Sequence, residues 1–114
     1  MMNWQKLTEE KSIDDLISLS AQKPVMVFKH STTCAISQTV LARLERNWSE
    51  KEVPHLATYF VDLLAYRSVS NKIAEILAIK HESPQAIVIK NGSVVYHESH
   101  MAITFSGIRD AFLN

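Results

Sequence analysis

The sequence predicts an α/β fold in which a mixed central sheet carries helices on both faces, and three observations predict it. Val25-Met26-Val27-Phe28 is a continuous apolar run, as expected of a strand buried on both sides. Apolar residues at helical spacing (Ile36, Val40, Leu41, Leu44 and Trp48) separate it from a second strand-like run at Ala57–Asp62. Two strands joined by a helix in one sheet run parallel, with a right-handed crossover. Nearer the C-terminus, Asn91-Gly92 stands between two further β-like runs, the strongest short hairpin signal in the chain, and a hairpin is antiparallel within itself.

The elements follow in order. Ser12-Ile13-Asp14-Asp15 resembles a capping box with Asp in place of Glu. It opens a short amphipathic helix through Ile13, Leu16, Ile17 and Ser20, which ends before Lys23-Pro24. After the first strand, Thr33 is the expected N-cap of the longest helix, from Cys34 and Ala35 to about Lys51. The strand Ala57–Asp62 leads to a helix marked by Tyr66, Val69, Ile73, Ile76 and Leu77, with Ser68 as its expected cap. His81-Glu82-Ser83-Pro84 then precedes a hairpin of Gln85–Lys90 and Ser93–Glu98. Thr104 caps a last helix carrying Ile108, Ala111 and Phe112. Helix, strand, helix, strand, helix, hairpin, helix is the architecture of a thioredoxin-like domain.

Composition narrows the function classes. The 114 residues fit one domain, 1–114, with a core that needs no disulfide staple. Apolar residues make up 46% and charged residues 21%, ordinary globular proportions. Twelve basic residues balance twelve acidic ones, so no net field favours nucleic acid or an anionic membrane as partner. No apolar run approaches the roughly 18 residues of a membrane span. The N-terminal residues lack the apolar stretch of a secretory leader, which makes a cytoplasmic location, with thiols kept reduced, the expectation.

Cys34 is the single cysteine, in Phe28-Lys29-His30-Ser31-Thr32-Thr33-Cys34-Ala35-Ile36-Ser37. It cannot close a disulfide within its own chain. Its place between strand end and helix start sets it beside unpaired N–H groups and the positive end of the helix dipole, both of which favour thiolate. Lys29 and His30 are expected as solvated residues flanking the site and adding positive charge. Ser37 stands where a Cys-x-x-Cys motif has its second cysteine. A hydroxyl there can donate to a thiolate but cannot attack a mixed disulfide.

Ser83-Pro84 adds a second loop, and an X-Pro bond just before a strand is a candidate cis peptide. The backbone of Ser83 would then pair with an extended peptide or thiol compound. His97 and His100 suggest metal ligation, but no second cysteine or acidic partner completes a ligand set, so no metal is expected. Trp4, Trp48, Phe60 and Tyr66 read as core or core-edge aromatics, and Met101 has no assigned role.

Lys29-His30-Ser31-Thr32-Thr33-Cys34-x-Ile36-Ser37, with His81-Glu82-Ser83-Pro84-Gln85-Ala86 and Ser99-His100, resembles the monothiol bacilliredoxins, small thioredoxin-like general stress proteins of bacteria that use bacillithiol. The resemblance runs from Trp4 to the final helix. It departs at Ala35, where the family has proline, and at Met101, where a Trp is usual. What the resemblance implies is a monothiol thiol-disulfide oxidoreductase that removes bacillithiol, or a similar low-molecular-weight thiol, from protein mixed disulfides under oxidative stress. Cys34 is its implied nucleophile, with Ser37 and the helix N–H groups stabilising the thiolate. Thr33, Ala35, Ser83, Pro84, His30 and Lys29 are the expected thiol- and substrate-binding residues. The expected partners are thiolated client proteins and the small thiol, which acts as co-substrate with no bound cofactor. The alternatives are a thioredoxin-like adaptor module, or a redox sensor in which Cys34 does not turn over.

Overall fold

The computed structural model describes residues 2–114. Five strands, β1 (Gln5–Lys6), β2 (Val25–His30), β3 (Ala57–Asp62), β4 (Gln85–Lys90) and β5 (Ser93–Ser99), form one sheet in the order β1-β3-β2-β4-β5. Four helices, α1 (Lys11–Leu19), α2 (Ala35–Asn47), α3 (Arg67–Leu77) and α4 (Phe105–Leu113), cover it. The sheet is mixed, as its sequence predicts. β2 pairs parallel with β3 in the register Val25↔Ala57 to His30↔Asp62, and antiparallel with β4 in the register Val25↔Ile89 to Lys29↔Gln85.

The period-2 alternation of β2 divides the core. Met26 and Phe28 face one side with Val40 and Leu44 of α2 and Phe105 and Ile108 of α4. Val25 and Val27 face the other with Ile13 and Leu16 of α1 and Val69 and Ile73 of α3. Asn91 and Gly92 both have positive φ (51° and 75°), the backbone of the primed turn that Asn-Gly favours. The Thr104 hydroxyl accepts the Gly107 N–H at 3.1 Å, as its capping position predicts.

Several boundaries differ from the sequence expectation. Helix α1 is capped two residues earlier, at Glu10, with no side-chain cap, so Ser12 lies inside the first turn and the capping box does not form. Helix α2 stops at Asn47, short of Lys51, because Trp48 turns to extended backbone and packs its ring on Phe105 at 5.0 Å. Tyr66 is the cap residue of α3, Ser68 lies within the helix, and the Tyr66 ring is 38% exposed instead of packed in the core. The short edge strand β1 and the 3-10 turn His100–Ala102 carry too few residues to show a periodicity.

All the loops that matter share one end of the sheet. β2, β3 and β5 deliver their C-termini there and β4 its N-terminus, since β4 alone of these runs the other way. The segment holding Cys34, the loop Leu63–Tyr66, the loop ending in Pro84 and the turn holding Met101 therefore crowd together. Among the described residues no helix is long and apolar enough to cross a membrane.

Candidate active site

Cys34 is the N-cap of α2, with extended backbone (φ −99°, ψ 118°). This corrects the expected assignment by one residue: Thr33 lies outside the helix and exposed, and Ala35 is the first helical residue. The reason is local. The Cys34 N–H closes a turn onto the Ser31 carbonyl at 3.2 Å, and the Cys34 carbonyl accepts the first helical N–H, from Gln38, at 3.1 Å. The N–H groups of Ala35, Ile36 and Ser37 then have no carbonyl partner within the helix. Cys34 is half-buried at the positive end of the helix, and its side chain makes no cap hydrogen bond to these donors.

Ser37 is the third helical residue and fully buried. Its hydroxyl accepts the Ser31 N–H at 3.1 Å and lies 2.7 Å from His30 Nδ1. The partners of this hydroxyl are thus the strand end and an imidazole, whereas the sequence suggested the sulfur. Gln38 Nε2 donates to the Thr32 carbonyl at 2.6 Å, tying the cysteine loop to its own helix.

Lys29 and His30 are neither solvated nor on the same side. His30 is 5% exposed, its ring stacked with Phe28 at 6.2 Å and tilted against Phe60 at 5.4 Å between centroids. Burial lowers its proton affinity, against smaller opposing pulls from Asp62 and Glu45. Lys29 points through the opposite face of the sheet and is fully buried. Its ammonium donates to the Ser70 carbonyl at 3.1 Å and meets His81 Nδ1 at 3.3 Å, and burial pulls its pKa from 10.5 down to about 8. Lys29 is therefore no surface residue of the cysteine loop. His81, which the sequence left without a role, is the residue it reaches; burial and the Lys29 charge both lower the pKa of His81.

The Ser83–Pro84 bond is cis. Continuing the β2–β4 register one step past Lys29↔Gln85 sets Pro84 beside His30, at the end of the sheet from which Cys34 emerges. Ser83 precedes the first ladder residue of β4, so its backbone lies outside the sheet pairing, while the Pro84 carbonyl accepts the His100 N–H at 3.0 Å. Ile36, Leu64, Tyr66 and Met101, all at this end, are among the few large apolar side chains left exposed. Among the described residues no three His, Cys, Asp or Glu side chains group as a metal site would require.

Comparison with known proteins agrees with this geometry. Residues 5–108 match the family model described as monothiol bacilliredoxin BrxC. A solved structure described as a candidate oxidoreductase with a thioredoxin fold is 30% identical, with a TM-score of 0.80 over 95% of this chain and 92% of that one. Thioredoxins from Fasciola hepatica (17% identity, TM-score 0.72, 96% of each chain) and Trypanosoma brucei brucei (13%, 0.72, 96% and 87%) share the fold.

Proposed function

The chain belongs to the monothiol bacilliredoxin family, and on that premise we propose that it is a cytoplasmic thiol-disulfide oxidoreductase that strips bacillithiol from proteins carrying it as a mixed disulfide. The observation that carries this reading is a half-buried Cys34 at the N-cap of α2, with the second-cysteine position filled by a buried serine. Such a site has one nucleophile and no internal resolving group.

In the first step the Cys34 thiolate attacks the bacillithiol sulfur of the mixed disulfide. A new Cys34–bacillithiol disulfide forms, the old disulfide breaks, and the client's cysteine leaves as thiolate. In the second step the thiolate of another bacillithiol attacks the adduct, giving bacillithiol disulfide and returning Cys34 as thiolate. Both steps exchange one disulfide for another; in sum the client's cysteine is reduced and the second bacillithiol, the reductant, leaves oxidised in bacillithiol disulfide. The helix N–H groups hold the negative charge on Cys34 before attack and again as it leaves. Ser83 and Pro84 wall the approach from β4. The exposed apolar residues Ile36, Leu64, Tyr66 and Met101 supply an adaptable surface for client proteins.

Intact-mass analysis after incubation with oxidised bacillithiol, and separately with oxidised glutathione, tests the reading. A single adduct on Cys34, formed preferentially with the first and cleared by excess bacillithiol, is expected. An adduct that excess thiol fails to clear would replace the reductase with a sensor. Cys34→Ser must abolish release of the small thiol from a client, and retained release would overturn the mechanism.

A further inference from the structure

We propose that the cavity between β1, the end of β3 and the loop Leu63–Tyr66 binds the charged part of the small thiol, taking its carboxylate on Lys6 and its ammonium on Asp62. The inference rests on the reading of Cys34 as a nucleophile in exchange with a low-molecular-weight thiol. It adds to that reading a place for the rest of the molecule.

The cavity measures about 260 Å³ and has Lys6, Thr8, Phe60, Asp62 and Tyr66 among its walls. That volume is close to the roughly 300 Å³ at which small-molecule sites begin. Backbone bonds fix the walls. The Leu7 N–H donates to the Phe60 carbonyl at 2.8 Å, and the Tyr66 N–H donates to the Asp62 carbonyl at 2.9 Å. A site that is already formed loses little binding free energy to its own ordering.

The charges in it are uncommitted. Lys6 and Asp62 both line the cavity, yet neither forms an ion pair with the other or with any other described residue. Oδ1 of Asp62 accepts the Leu64 and Ala65 N–H groups at 3.2 and 3.5 Å, which orients the carboxylate and leaves Oδ2 without a described donor. A cation and an anion held apart in one cavity complement a ligand that carries a carboxylate and an ammonium group apart. Asp62 disfavours an inorganic polyanion there, and the two charges together disfavour an apolar ligand. The rings of Phe60 and Tyr66 offer surface to the uncharged body between the ends. Bacillithiol has this chemistry, with carboxylates and a free amine besides its thiol.

Placement relates the cavity to the sulfur. β1 and β3 run parallel to β2, so the residues that close the cavity lie at the end of the sheet from which Cys34 emerges. Phe60 packs with Phe28, Val40 and Leu44 on the face that α2 covers, and its ring is 5.4 Å from that of His30. His30 Nδ1 in turn is 2.7 Å from the hydroxyl of Ser37, in the first turn of the helix that Cys34 caps. One imidazole thus separates the cavity wall from α2. Asp62 pairs with His30 in the β2–β3 register, and Pro84 flanks His30 from β4. The small thiol would lie on the β3 side of Cys34, opposite the proline.

Two measurements test this. In Cys34→Ser, which forms no mixed disulfide, titration with reduced bacillithiol should move the amide NMR signals of residues 6–8 and 62–66. Mercaptoethanol, which has no charged group, should leave them in place. In a chain that keeps Cys34, Lys6→Gln should slow adduct formation from oxidised bacillithiol about three- to fivefold, the upper range of an exposed ion pair, and high salt should erase the difference. Reaction with hydroxyethyl disulfide, which offers Lys6 no charge, is the reference against which that fall is read. Lys6 is exposed and makes no side-chain hydrogen bond, so its replacement disturbs no packing. Absence of shifts at these amides, or equal slowing with both disulfides, would overturn the site. So would equal rates for wild type and Lys6→Gln with oxidised bacillithiol, and the exchange mechanism would then stand without it. Shifts at these amides in a protein whose Cys34 never accepts bacillithiol would uphold the site and count only against the proposed function.

Discussion

Lys29→Met should make the protein more stable at neutral pH, although it removes hydrogen bonds. The Lys29 ammonium is fully buried and has a carbonyl and an imidazole as partners, with no carboxylate among those bonds. Its pKa falls from 10.5 to about 8 on burial, and that gap corresponds to a cost of about 3 kcal/mol carried by the folded state wherever both states are charged. Methionine matches the length of the stem and adapts to its cavity. Against the relief stands the Ser70 carbonyl, which loses its donor at about 1–2 kcal/mol. The net gain is about 1–2 kcal/mol at pH 7, a rise in Tm of about 5 °C for a domain of this size. The sign follows from proton binding. Between pH 8 and 10.5 the unfolded chain holds the Lys29 proton while the folded chain has released it, so the wild type gains stability with rising pH across that window. The advantage of Lys29→Met should therefore be full below about pH 8, shrink above it by about 1.4 kcal/mol per pH unit, vanish at about pH 9 to 9.5, and stand reversed at about pH 10.5, where only the lost hydrogen bonds remain. Thermal unfolding of both proteins from pH 6 to 10.5 measures this. A stability difference independent of pH, or a destabilised variant at pH 7, would refute the reasoning that the buried charge is uncompensated.

Ala35→Pro restores the residue the family carries after its cysteine. Ala35 is exposed at the first helical position, where an N–H has no helical partner, and Cys34 already has the extended backbone that a following proline demands. The substitution should stabilise by about 0.5–1 kcal/mol, chiefly by restricting the unfolded chain, as a denaturant midpoint raised at unchanged slope would report. Thr104→Ala removes the one side-chain cap seen on these four helices and should cost about 1 kcal/mol, with Thr104→Ser recovering most of it in the same titration.

The sheet was readable because its strands are written in two plain codes, an unbroken apolar run for the doubly covered β2 and an Asn-Gly turn for the hairpin. Thr104 was readable for the same reason, since a cap announces itself beside the helix it serves. What failed to show was anything fixed by distant partners. Lys29 and His30 look like the solvated end of a strand, yet β2 continues through both, and their burial depends on Ser70 and His81, 41 and 52 positions from Lys29, and on Phe60 beside His30. No local pattern distinguishes a lysine with a buried carbonyl waiting for it from one that faces water. The cap of α2 was missed by a single residue because Thr33 and Cys34 both precede a helix-like run, and the choice between them lay in the turn from Ser31.

That alternation along β2 bears on how the sulfur is activated. Consecutive side chains of a strand take opposite faces, so the fold that buries His30 behind Ser37 must send Lys29 to the other side, among Ser70 and His81. The cation closest to Cys34 in sequence is thereby kept on the far side of the sheet, and the groups left to hold the thiolate are the neutral N–H groups of α2. A lone thiol gains from this restraint. Its nucleophilicity falls with its basicity, and exchange is fastest when the attacking thiol titrates near ambient pH. A cation at the sulfur would favour the thiolate while making it a poorer nucleophile. It follows that Lys29→Met, whatever it does to stability, should leave the pH midpoint of Cys34 alkylation within about 0.2 pH unit of wild type, since the ammonium is turned to Ser70 and His81 on the other face of the sheet. A larger displacement would mean that the lysine acts on the sulfur through the sheet after all, and that the electrostatics of the site extend beyond its own helix.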